Sequence, residues 1–142
     1  MQTLLKEKLW AYIIHHNPEL MFRLQEDYSV MNYLDEKVAA VLPTAAQLLS
    51  EKRPAYIVEE LCLNAMTKEL RPSRYQYLRS VLEEDFSDNY EQLKESGTLT
   101  YELCNLIECC KGIFDALGFS TDSEDNRQLR YAIIGQVQEY LT

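Results

Sequence analysis

The densest group of residues able to do chemistry is basic and aromatic: Lys68, Arg71, Arg74, Tyr75, Tyr77 and Arg79 within twelve positions. Guanidinium forks match carboxylate and phosphate oxygens, and the free amides of a helix's first turn favour an anion beside them. The turn Leu70-Arg71-Pro72-Ser73 joins two helical stripes, with Ser73 placed to cap the amides that follow. The expected contact set for an anion or a partner is therefore Lys68, Arg71, Ser73, Arg74, Tyr77 and Arg79. The same layout is that of a helix-turn-helix whose second helix presents Arg74, Gln76, Tyr77 and Arg79. Against duplex reading, the turn lacks glycine and the second helix closes on Glu83-Glu84-Asp85. A structural or solvated role for the cluster is the default it must beat.

Other reactive residues make weaker sets. Adjacent His15 and His16 diverge on a helix, and no third ligand is in register for a metal. Cys104, Cys109 and Cys110 lack the paired knuckles of a zinc site and read as buried thiols, and all four cysteines, Cys62 among them, read as reduced. Asp122, Glu124 and Asn126 alternate like a calcium loop, but Arg127 and Ile133 stand where glycine and glutamate are needed. Consecutive carboxylates such as Glu59-Glu60 splay around a helix instead of converging, and no nucleophile elbow, zinc-helix motif or phosphate-binding glycine loop is present. The expectation is a protein that is not an enzyme, with no catalytic residue, no metal and no cofactor.

Composition sets the frame for these residues. At 142 residues the chain is long enough for one domain, 1–142, that removes roughly 70% of its unfolded surface from water. The 46% apolar content, with only 4 Gly and 4 Pro, is that of a globular chain with little linker. A net charge of -9 makes the overall field repel phosphate, so nucleic-acid contact would need a local basic patch. Lys6, Glu7 and Lys8 interrupt the first apolar segment, and no run approaches the ~20 residues of a membrane helix. A cytoplasmic location with no membrane contact is expected.

The elements that must position these residues are all helical. Leu5, Leu9, Tyr12 and Ile13 share a stripe over 3–14, which Asn17-Pro18 ends before a short turn to Leu24. Val30, Leu34, Val38, Val41, Ala45 and Leu48 continue at helical spacing, with Pro43 expected to kink or break that helix. Leu61, Ala65 and Met66 mark the helix begun by Pro54, and Tyr75, Leu78, Val81, Leu82 and Phe86 mark the next. Gly97 stops a short helix, and Gly118 stops one carrying Leu103, Ile107, Cys110, Phe114 and Leu117. Gly112 inside that segment suggests a close helix crossing. The last helix, about 124 to 141, carries Leu129, Ile133 and Val137, with Thr121 and Glu124 spaced as a capping box. No repeat period is apparent.

His16-Asn17-Pro18-Glu19-Leu20, Glu60-Leu61, Ser73-Arg74-Tyr75, Leu78, Leu82 and Asp85-Phe86 together resemble a family of small helical proteins from Bacteroides-like bacteria. That family is a domain of unknown function with an HPEL-like start, an S-K-Y motif and a following E-F. Here Asn17 stands where the family often has His, Arg74 where it has Lys, and Asp85 where it has Glu. The resemblance implies a helical fold and a gene neighbourhood among conjugative-transposon genes, and it carries over no catalytic or binding residue.

The resulting expectation is an all-α chain forming a single compact domain of six or seven helices in an irregular orthogonal or bundle-like array. Ten tyrosines are the most unusual feature of the composition, and Tyr28, Tyr33, Tyr56, Tyr90 and Tyr101 fall near helix starts or off the main stripes. Tyrosine combines large apolar area with few rotors and is favoured at interfaces. The leading functional reading is a non-catalytic interaction module that binds another protein, or itself as a homodimer, as an accessory or regulatory factor of a mobile element. The rival is nucleic-acid association, through the basic junction or through acidic mimicry of DNA by Glu83, Glu84, Asp85, Asp88 and Glu91.

Overall fold

A computed structural model describes residues 1–142 as eight α-helices, one 3-10 turn and no strand. The helices are α1 (Gln2–His16), α2 (Pro18–Glu26), α3 (Val30–Ser50), α4 (Ala55–Met66), α5 (Arg74–Asp85), α6 (Ser87–Ser96), α7 (Leu99–Leu117) and α8 (Arg127–Leu141). The all-helical class is as expected. The count exceeds six or seven because the short turn expected behind Asn17 is a helix of its own, α2, with buried Leu20 and Leu24, beside the short helix stopped by Gly97, α6.

Two compact units follow one another along the chain, Met1–Arg71 and Pro72–Thr142. In the first unit, α1 packs on α2, α3 and α4, and α3 packs on α2 and α4. Its core holds Leu5, Leu9, Ile13, Leu34, Val38 and Val58. In the second unit, α7 packs on α5, α6 and α8, around Leu78, Leu82, Leu103, Leu106, Phe114 and Ile133. These side chains are essentially shielded from water, so cutting one of the leucines back to alanine costs about 2–5 kcal/mol.

The two units repeat one plan, although no repeat is visible in the sequence. A break residue ends the first helix of each: Asn17 has φ -138°, ψ 57°, and Phe86, 69 positions on, has φ -136°, ψ 48°. A short helix follows, closed by a left-handed residue, Tyr28 at φ 54° or Gly97 at φ 76°, again 69 positions apart. The amide after each closes the turn, Ser29 N–H on the Leu24 carbonyl at 2.9 Å and Thr98 N–H on the Leu93 carbonyl at 3.0 Å. Ser29 and Thr98 then precede the long helices, whose buried stripes Leu34, Val38, Val41, Ala45 and Leu103, Ile107, Cys110, Phe114 keep the same offset of 69. Lys52 at φ 62° and Gly118 at φ 68° lead away from those helices. The last helices bury residues at the same i, i+4, i+8 spacing, Val58, Cys62, Met66 and Leu129, Ile133, Val137.

Several local expectations are corrected. α3 runs through Pro43 without a break, because Pro43 and Ala39 both lie on the exposed side, where the carbonyl deprived of its partner can bond water. The buried face of α4 is Val58, Cys62 and Met66, whereas Leu61 and Ala65 are exposed. A Cβ added at Gly112 would meet nothing within 4 Å, so that glycine marks no close crossing. α8 starts at Arg127 and not near 124, because Asn126 is its cap and accepts the Leu129 amide at 3.0 Å. Ser73 caps α5 as expected, accepting the Gln76 amide at 3.0 Å.

Candidate functional site

The basic stretch is divided between the two units. Lys68 and Arg71 belong to the first unit and Ser73, Arg74, Tyr77 and Arg79 to the second. Arg71 donates to the Asn64 carbonyl at 2.9 Å, and Lys68 is exposed on the 3-10 turn Lys68–Leu70. In the second unit Arg74 bonds Asp115 at 2.8 Å and lies 5.0 Å from the centre of the Phe114 ring. Arg79 donates to the Tyr90 hydroxyl at 3.4 Å. Tyr77 is in the core at 8% exposure, edge-on to Phe114 and Phe119 at 5.8 and 5.2 Å. Burial raises the pKa of its hydroxyl, which has no hydrogen-bond partner. The arginines of this stretch thus brace their own units. None of the residues that hold them, Asn64, Asp115 or Tyr90, is deducible from a local motif.

The acidic stretch behaves similarly in part. Arg130 on α8 bonds both Glu84 and Asp85 at 2.7 Å, while Glu83, Asp88 and Glu91 stay exposed. His16 stacks on Tyr12 with ring centres 4.2 Å apart, a helix-end contact. Among the cysteines only Cys62 and Cys110 are buried; Cys104 is half-buried and Cys109 exposed, because 109 falls on the outer side of α7. No helix is long and apolar enough to cross a membrane.

The tyrosines sort into two groups. Tyr28, Tyr56 and Tyr101 are exposed at 94%, 68% and 64%, whereas Tyr90 is buried and Tyr33 half-buried. Tyr131, at 68%, joins the exposed group; it lies off the Leu129-Ile133-Val137 stripe of α8.

A feature missed in the sequence is a cleft of about 320 Å³ in the first unit, with Asn17, Glu19, Arg23, Tyr33, Lys37 and Glu69 as its polar wall. Glu19 and Arg23 are four apart on α2, and Tyr33 and Lys37 four apart on α3, so each pair shares a helix face. Lys37 bonds Glu69 at 3.2 Å and lies 5.7 Å from the Tyr33 ring centre. Arg23 takes part in no ion pair. Burial raises the pKa of the Tyr33 hydroxyl, opposed by the positive charge of Lys37 and reinforced by the negative charge of Glu69. Asn17 is only 7% exposed; its Nδ2 faces two acceptors, the Leu70 carbonyl at 3.5 Å and Glu19 Oε1 at 3.4 Å. Those two neighbours fix the orientation of the amide and leave Asn17 Oδ1 buried with no donor. The spacing of these residues in the sequence holds a signal only in the two i, i+4 pairs; Glu69 arrives from the far end of the unit.

Compared with family models, curated proteins and solved structures, the chain matches none.

Proposed function

We propose that this protein is a non-catalytic helical interaction module that binds another protein, or a second copy of itself, through the exposed tyrosines of one or both units. The observation that carries the reading is the contrast between Tyr28, Tyr56, Tyr101 and Tyr131, which lie open to solvent, and the arginines Arg71, Arg74, Arg79 and Arg130, which are bonded within their own units. Exposed aromatic area without a partner in the fold is what an interface uses, since a tyrosine ring loses few rotors on burial. Nucleic-acid association draws less support: Arg74 and Arg79 are engaged, Tyr77 is in the core, and Arg130 offsets Glu84 and Asp85. The family resemblance supports a place as an accessory or regulatory factor of a mobile element, and the proposed location is cytoplasmic.

The test is light scattering of the pure protein together with affinity capture from host cytosol at low and moderate salt. The reading expects a homodimer, or a stoichiometric protein partner that survives moderate salt. It further expects at least one of Tyr28→Ser, Tyr56→Ser, Tyr101→Ser and Tyr131→Ser to release it without loss of helix content. Recovery of nucleic acid alone, only at low salt and lost in Arg74→Glu, reverses the order of the two readings.

A further inference from the structure

The duplicated plan supplies an internal control for the cleft. Moving 69 positions along the chain carries Asn17 to Phe86, Arg23 to Gln92 and Lys37 to Leu106. In the second unit Phe86 packs against the core and Leu106 is fully buried within it. The same helical scaffold therefore accepts apolar residues at the very places where the first unit carries a buried amide and an ammonium. A polar group in such a place costs free energy that an apolar one does not. The buried amide and the ammonium are therefore particular to the first unit, whereas Glu19 and Arg23 answer to the polar Asp88 and Gln92.

Charge on that wall is balanced. Arg23 and Lys37 supply two cations, Glu19 and Glu69 two carboxylates, in a chain whose net charge of -9 disfavours any ligand that is simply anionic. The volume of about 320 Å³ is at the small end of ligand sites. The only carboxylate paired with Lys37 is that of Glu69, which is 82% exposed, and a pair of that kind is exchanged for a ligand at little cost. Arg23 brings a guanidinium that no protein carboxylate occupies, and Asn17 Oδ1 is an acceptor that no protein donor uses.

We propose that this cleft binds a small zwitterion with the charge pattern of a free α-amino acid, its carboxylate on Arg23 and Lys37 and its ammonium toward Glu69. A zwitterion satisfies both signs of the wall at once. An isolated anion or cation satisfies one and meets like charge from the other. Tyr33 and Leu20 border the same space and offer apolar contact to a side chain.

The test is calorimetric titration of the full chain with each of the common amino acids, with acetate and methylammonium as single-charge controls. At least one amino acid is expected to bind saturably with one-to-one stoichiometry and the controls not to. Arg23→Gln, an exposed position with no packing role, should weaken that binding by about tenfold or more, the share of one charge-assisted hydrogen bond. Lys37→Leu, which installs the residue type found 69 positions on, should weaken it likewise, and Arg53→Gln, a cation outside the cleft, should not. Circular dichroism melts confirm that each variant is folded. The proposal is overturned if no amino acid binds saturably, if acetate binds as tightly as the best of them, or if folded Arg23→Gln binds as the parent does.

Discussion

Asn17 and Phe86 hold the same backbone bend within 10° in φ and ψ, yet Asn17 buries an amide and Phe86 packs a ring on a core. The amide of Asn17 is held by acceptors on both sides of its nitrogen, the Leu70 carbonyl and Glu19. Asn17→Asp puts a carboxylate oxygen in place of that nitrogen, facing two acceptors in a buried setting. The expected loss is about 2 kcal/mol or more at neutral pH, read from urea unfolding. It should shrink toward about pH 4, where the new carboxyl can keep a proton and donate.

The left-handed turns are served by different residues in the two units. Tyr28 and Lys52 adopt positive φ in the first, Gly97 and Gly118 in the second. A side chain at such φ is strained by roughly 1 kcal/mol, which glycine avoids. Tyr28→Gly and Lys52→Gly should therefore raise the melting temperature, and Gly97→Ala should lower it. A fall in stability for both glycine replacements would mean that chain entropy outweighs the relief of strain.

Gly112 and Gly135 sit on exposed faces of α7 and α8 with nothing within 4 Å of an added Cβ. Alanine at either place restores helix propensity at no steric cost, and each should stabilise by about 0.5–1 kcal/mol. Gly112 stands 69 positions after Pro43, so each long helix carries a helix-weakening residue at the same exposed point. Additivity of the two alanine substitutions in chemical denaturation checks that they act through their own helices.

Thiol reactivity should follow burial along α7. Cys109 is exposed and should be alkylated first, Cys104 more slowly, and Cys62 and Cys110 only on opening of the fold. Burial, with the neighbouring Cys109 as a lesser cause, pushes the Cys110 thiol up from 9.0 to about 11. A raised thiol pKa means the folded state holds its proton longer than the unfolded one. The contribution of Cys110 to stability is thus intact below about pH 9 and is lost as pH rises toward about 11. Cys110→Ala should lessen the alkaline decline, to which the half-buried Tyr33 and the buried Tyr77 also contribute, at the cost of a cavity in the second core, and melts across the alkaline range would show it.

Helices were readable in this sequence wherever a stripe and a stop coincided. Leu103, Ile107, Cys110 and Phe114 ahead of Gly118 gave α7, and Ser73 gave the start of α5. Phase failed on α4, where Leu61 and Ala65 are as apolar as Val58 and Cys62, and only packing chose between the faces. The duplication was hidden because an apolar position needs only an apolar residue: Val38 answers to Ile107 and Val41 to Cys110, while the left-handed turns use Tyr28 and Gly97. The basic cluster looked like a site because its residues are neighbours in sequence. Its holders, Asp115 for Arg74 and Tyr90 for Arg79, come from other helices. The cleft was unreadable for the same reason, since Glu69 meets Lys37 across 32 residues of chain.

The offset of 69 that runs from Asn17 to Ala45 bears on what recombination can do with the coding sequence. Strand exchange between the coding segments for α2 and α6 would join α1 to α6 across one break residue, with every following helix in phase. From Asn17 to the middle of the long helix, each crossover point has a counterpart of equal helical phase in the other unit. A crossover between equivalent points over this span joins helix to helix without passing through a frame-shifted one.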